Sequence, residues 1–224
     1  MKTPAGSFAR LARLVIAAAL AAGAVVPAHA QTTWTNYTTA NGLGSNTVRG
    51  VYASGSTIYA ATGGGVSVSA NGGTSWTNYT TANGLVSDNV RGLYAVGSTI
   101  YAATGGGVSV STNSGTSWTN LTTANGLGSN NVRGVYAVGS TIYAATGGGV
   151  SVSTNGGTSW TNYTTATGLA SDNVLGIFED AGTIYAATGG GLSVASVPEP
   201  STCAMALAGL ACGGYSLFRR RRAR

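Results

Sequence analysis

Apolar and polar side chains alternate in four short bursts, Val48–Ala53, Thr57–Thr62, Val66–Ser69 and Trp76–Tyr79. Each burst is rich in β-branched or aromatic residues, and a period of two puts alternate side chains on opposite faces of a strand. Between them stand Gly55-Ser56, Gly63-Gly64-Gly65 and Asn71-Gly72-Gly73, which supply the positive φ that tight hairpins need. No proline occurs in residues 31–196, so no strand there lacks an amide donor. The pattern predicts an antiparallel sheet of four short strands.

The same text returns every 42 residues, with Trp34, Trp76, Trp118 and Trp160 at one position and no insertion between copies. A period of about 40 to 45 residues made of short strands suits a propeller blade. The array opens on an isolated strand, Thr33–Thr38, and its last copy ends at Ser196 without the Trp strand. These fragments are complementary. The expected fold is therefore all-β, a four-bladed β-propeller of four-stranded repeats over residues 31–196, closed by the N-terminal strand, which completes the blade begun at Asn173. The competing geometry joins two chains in one larger ring.

The chain ends differ in character. Lys2, Arg10 and Arg13 precede the apolar or small stretch Leu14–Val26, and Ala28 and Ala30 make a small-x-small cleavage site before Gln31. That order predicts a secretory signal peptide over residues 1–30, cut by signal peptidase, because the apolar stretch is too short to span a bilayer. At the other end, 18 uncharged residues, 201–218, separate Val197-Pro198-Glu199-Pro200 from Arg219-Arg220-Arg221-Arg222-Ala223-Arg224. As a helix they extend about 27 Å, enough for a thin bilayer, with the arginines on the cytoplasmic side. The formal charge of +6 belongs to these ends: residues 31–196 hold three arginines against four carboxylates, a net charge of −1. Such a domain lacks the electrostatic footprint of a nucleic-acid binder. Both cysteines, Cys203 and Cys212, lie in the apolar tail, so the repeats need no disulfide framework.

The tail, residues 197–224, resembles the PEP-CTERM sorting signal of Gram-negative bacteria: Pro198, Glu199 and Pro200, then a single short span, then an arginine cluster. The resemblance implies an exosortase as processing partner, transient anchoring in the inner membrane through residues 201–218, and release or transfer to the cell surface. It also implies association with exopolysaccharide and biofilm. Two further likenesses lie in the repeats. Gly42-Leu43-Gly44-Ser45-Asn46-Thr47-Val48 followed by Thr57–Val66 is similar to the propeller repeat of two-component sensor ectodomains, with Tyr59 and Ala61 where that family usually has Trp and Gly. Ser69-Ala70-Asn71-Gly72-Gly73-Thr74-Ser75-Trp76 resembles the Asp-box hairpin of sialidases, with Asn for Asp, and implies a structural turn.

Catalytic chemistry is poorly supplied. Residues 31–196 contain no His, Lys or Cys, which removes the usual bases and activated nucleophiles. Glu179-Asp180 is the one adjacent carboxylate pair; neighbours in a strand face opposite ways, and an exposed turn is the favoured reading. Asp88 and Asp172 offer one carboxylate each where calcium wants about six to eight oxygens, so Asx turns are expected and no metal or cofactor is called for. The aromatic positions, Trp34 with its copies and Tyr52, Tyr94, Tyr136 and Phe178, suit packing between blades better than sugar stacking. Arg49, Arg91 and Arg133 share one repeat position, with Leu175 in the fourth copy. They are the candidate ligand-binding residues, able to meet an acidic sugar or phosphate, although solvated scaffold arginines remain the plainer reading.

The resulting expectation is an exported, exosortase-sorted, non-enzymatic propeller at the cell surface or in the extracellular matrix, with extracellular polysaccharide as a candidate partner. The alternatives are a receptor-like sensory ectodomain working with a separate signalling protein, and a carbohydrate-active enzyme.

Overall fold

The computed structural model describes residues 33–196, and the expected signal peptide, with Ala28 and Ala30, and the expected membrane span lie outside them, as do Pro198, Glu199 and Pro200. Residues 33–36, the described part of the first of two units, have no regular structure, and Trp34 is exposed.

From Tyr37 onward the chain builds four antiparallel sheets in sequence order. Sheet 1 contains β1 (Val48–Ser54), β2 (Thr57–Thr62), β3 (Gly65–Ser69) and β4 (Thr77–Tyr79). Sheet 2 repeats it with β5 (Val90–Val96), β6 (Thr99–Thr104), β7 (Gly107–Ser111) and β8 (Thr119–Leu121). Sheet 3 follows with β9 (Val132–Val138), β10 (Thr141–Thr146), β11 (Gly149–Ser153) and β12 (Thr161–Tyr163). Sheet 4 has β13 (Val174–Asp180), β14 (Thr183–Thr188) and β15 (Gly191–Ser196). The expected strands are present, β2 with the predicted limits. A β-bulge at Arg49, repeated at Arg91, Arg133 and Leu175, shifts the register of the first strand against the second.

Period-two alternation gives each sheet two apolar faces. In sheet 2 the leading face carries Tyr101, Ala103 and Val108, and these pack with Leu127, Val132, Val135, Ala137, Ile142 and Ala144 of the third repeat. Sheet 1 meets sheet 2 through Ala61 and Val66 against Leu85, Val90 and Ala102, and sheet 3 meets sheet 4 through Tyr143, Ala145 and Val150 against Val174, Ile184 and Ala186. The core is thus three copies of one interface, stacked along the array. Burying one such valine or isoleucine side chain contributes about 1.5–3 kcal/mol.

Close approach between sheets requires small residues in the first strands. A Cβ added at Gly92 would lie 2.9 Å from the carbonyl oxygen of Arg133. The β2–β3 type of turn is tighter still: Gly107, at φ +137°, would place a Cβ 2.4 Å from the carbonyl oxygen of Leu121.

Closure by the N-terminal strand is not observed. Residues 33–38 form no strand, and sheet 4 has three strands among the described residues. The leading face of sheet 4 and the trailing face of sheet 1 both remain exposed, at Leu192 and Val194 and at Val48 and Val51. The three internal interfaces therefore leave the faces of the first and last sheets without a partner among the described residues.

Gly107→Ala should destabilise the protein by about 2 kcal/mol or more, lowering its melting temperature by roughly 4–8 °C. Gly97→Ala, also at positive φ but with open space around it, should cost no more than about 1–2 kcal/mol. Equal melting temperatures for the two variants would contradict the tight turn.

Candidate functional site

The three arginines leave the bulges of β1, β5 and β9 at one level of the array. Each guanidinium reaches the next repeat. Arg49 Nη1 donates to Asn89 Oδ1 at 2.6 Å and to the Val90 carbonyl at 3.3 Å. Arg91 Nη1 donates to Asn131 Oδ1, while Arg133 Nη1 donates to Asn173 Oδ1 and, at 3.0 Å, to the Val174 carbonyl. Among the described residues these bonds leave Nη2 and Nε unused, so each fork keeps donors for an outside acceptor. Arg49 is exposed and the other two are half-buried. The sequence carries a signal for the asparagine partners that the alternation of apolar and polar positions does not reveal: Asn89, Asn131 and Asn173 follow their arginines by 40 residues.

The aromatic positions are brought together as packing, except for Trp34, which is exposed. Tyr52, Tyr94, Tyr136 and Phe178 form a row across all four sheets with ring centroids 5.3, 4.7 and 5.0 Å apart. Burial first, and then the Tyr136 and Tyr52 hydroxyls beside it, pushes the Tyr94 pKa above its ordinary value. Burial does the same for Tyr59, Tyr101 and Tyr143, with Glu179 adding to the effect at Tyr143. Trp76 and Trp118 stack edge-on against Tyr37 and Tyr79 at 5.6 and 5.9 Å. The indole nitrogens of Trp76, Trp118 and Trp160 are buried without an acceptor among the described residues, a cost that the packing of the rings offsets.

The Asp-box-like hairpin is a closed hydrogen-bond system. Ser69 Oγ accepts from Gly73 N at 2.8 Å, and Asn71 Oδ1 accepts from Ser75 N at 2.9 Å. Asp88 and Asp172 use Oδ1 to accept from Thr81 N and Thr165 N, both at 2.6 Å, which ties each carboxylate to a 3₁₀ turn. Glu179 departs from expectation. It is buried beneath sheet 3, where its Oε1 accepts from Gly182 N at 2.7 Å and braces the β13–β14 hairpin; Asp180 is exposed. No group of three or more metal-ligating side chains occurs among the described residues.

A cavity of about 220 Å³ lies against β15, lined by Gly168, Leu169, Ile184, Ala186, Ser193 and Val194 among others. In the first three sheets a fourth-strand asparagine fills the equivalent place. Asn78 accepts from Ser67 Oγ at 2.6 Å and donates to the Gly42 carbonyl at 2.9 Å; Asn120 and Asn162 repeat this with Ser109 and Ser151. Ser193 and Gly168 are the fourth copies of Ser67 and Gly42.

Asn131→Ala should cost about 1–2 kcal/mol by stranding the half-buried Arg91, read as a fall in melting temperature. An unchanged melting curve would show that the arginine–asparagine bond carries no structural weight.

Comparison with known proteins supports both halves of this description. Residues 196–222 match the model of the PEP-CTERM protein-sorting motif. No curated protein matches the chain. Among solved structures, the fold is similar to the extracellular domain of the hybrid two component system BT3049 from B. thetaiotaomicron, with TM-score 0.62 and 19% identity over 74% of this chain and 25% of that one. It is also similar to the computationally designed protein Ika4, with TM-score 0.54 and 13% identity over 69% and 94% of the two chains. An ancestral GH74 enzyme matches with TM-score 0.51 and 24% identity over 69% of this chain and 24% of that one. This chain therefore spans about a quarter of the BT3049 domain and of the GH74 enzyme. The motif implies export to the cell envelope and processing by an exosortase, while the structural likenesses establish the fold alone. The chain is a repeat array of β-propeller type that carries a PEP-CTERM sorting motif.

Proposed function

We propose that the repeats form a non-catalytic interaction module at the cell surface or in the extracellular matrix, and that their ligand is an extended anionic polysaccharide of the kind found in exopolysaccharide or biofilm. The observation that carries this reading is the row of Arg49, Arg91 and Arg133, whose Nη1 atoms are fixed by the scaffold while the remaining donors are unused among the described residues. A row of pre-positioned forks suits a polymer with acidic groups at regular intervals, because linked weak contacts add as avidity. The nearly neutral repeats carry no other recurring positive charge. Absence of His, Lys and Cys from residues 31–196 supports binding over catalysis. A sensory role beside a separate signalling protein is the second reading, favoured by the likeness to the BT3049 extracellular domain.

Changing the three arginines to glutamine should weaken retention on the producing cell's acidic polysaccharide on the order of tenfold, since exposed ionic contacts contribute about 0.2–1 kcal/mol each. Raised salt should weaken the wild type in the same direction. Retention that is unchanged in the variant and insensitive to salt would overturn the polysaccharide reading.

For sorting, we propose the boundaries 1–30, 31–196 and 197–224, with cleavage after Ala30 and recognition at Pro198, Glu199 and Pro200. Replacing those last three residues with alanine should leave export intact and keep the uncut chain in the membrane with its arginine tail. The tail's presence, read by mass spectrometry of the membrane fraction, checks this; wild-type protein that keeps residues 201–224 beside an active exosortase would contradict it.

A further inference from the structure

The two ends of the array expose the two halves of the interface that holds its middle together. Val48 is 42% exposed, whereas Val90, Val132 and Val174, at the same repeat position, are each 0% exposed. Val51 and Ala53 are likewise exposed, while Val135, Ala95 and Ala137 are buried. On the last sheet the pattern reverses: Leu192 is 67% exposed where Val66, Val108 and Val150 are at most 2% exposed, and Phe178, Tyr185 and Val194 are uncovered beside it. One end offers a trailing face and the other a leading face, and every internal contact joins one of each.

We propose that a second copy of this chain covers these faces head to tail, the trailing face of each first sheet packing on the leading face of the other chain's fourth sheet. Two such junctions close a ring of eight sheets. One chain leaves both faces open, and three would make twelve, beyond the usual range of about four to eight blades. The occupant is fixed by continuity with the interface the protein already builds three times.

Two independent details point to the same junction. Each internal interface pairs an arginine with the asparagine of the next repeat, but the last sheet has Leu175 in the arginine's place and the first has Thr47 in the asparagine's. Both partners of that bond are absent at the two faces the junction brings together, and Leu175 is a 52% exposed apolar side chain where a free edge would keep a solvated arginine.

The second detail is the cavity beside β15, with Ser193 and Gly168 at the positions that a fourth-strand asparagine bonds in the other sheets. The segment Thr35-Asn36-Tyr37 has the sequence of the fourth strand Thr77–Tyr79. Tyr37 already sits against sheet 1 as Tyr79 sits against sheet 2, its hydroxyl donating to the Gly72 carbonyl at 2.9 Å where Tyr79 donates to Ser114 at 2.8 Å. A second copy docked by its first sheet brings Tyr37 to the side of β15 on which the other sheets carry a fourth strand.

The test is the protein mass of the full chain in detergent, by light scattering or native mass spectrometry, for the wild type, Val51→Glu, Leu192→Glu and the control Val96→Glu. Wild type and control should show twice the mass of one chain, which is 22.1 kDa before any processing. Val51→Glu and Leu192→Glu, at exposed sites on opposite ends, should each lose the doubled mass while keeping the wild-type far-UV circular dichroism. A wild type at the mass of one chain overturns the proposal. So does a doubled mass in either end variant, which would place the contact on one face alone or in the tail. The outcome is separate from ligand binding: loss of polysaccharide retention with the doubled mass intact removes the proposed function and leaves this assembly standing.

Discussion

The contact between the leading face of one sheet and the trailing face of the next is the interaction on which the array depends. A single four-stranded sheet of this size has two apolar faces and cannot bury either one alone. Stacking buries Val66, Val108 and Val150 on one side and Val90, Val132 and Val174 on the other with one repeated set of side chains. Identity between copies follows from this requirement, since each face must fit the neighbour's. The glycines of the first strands admit the approach, and the row from Tyr52 to Phe178 runs along the seam.

Other features attach to that stack. The Asn71 hairpin and the turns braced by Asp88 and Asp172 hold the ends of strands, and the arginine–asparagine bonds tie each sheet to the next at one level. Nη1 of each arginine is taken up by that tie, while Nε and Nη2 make no hydrogen bond among the described residues. A regular row of such groups is a consequence of repetition.

Strand positions were legible because alternation and glycine turns are local, so β2 was placed with its observed limits. The bulge at Arg49 was not, since a run of Val-Arg-Gly-Val gives no sign of which residue is left out of register. Closure failed for a related reason. The complementarity of the first and last fragments is written in the sequence, but a like sequence does not bring residues 33–38 onto β15, where they form no strand. The burial of Glu179 is not legible, because its copies, Ala53, Ala95 and Ala137, give no hint that a carboxylate there turns back to the Gly182 amide. The arginines were found as a row, but their partners lay 40 residues away and belonged to a different sheet. The tail motif, by contrast, was legible as an ordered set of three segments and is matched as such.

If the inter-sheet contact governs the fold, the sheets must melt together. Differential scanning calorimetry of the intact chain should show one transition, and Val108→Ala, which hollows the interface between sheets 2 and 3, should lower that transition as a whole by roughly 4–8 °C for a loss of about 2 kcal/mol. Separate transitions in the wild type, or a variant in which only part of the trace moves, would show that each sheet is stable on its own and would contradict the account.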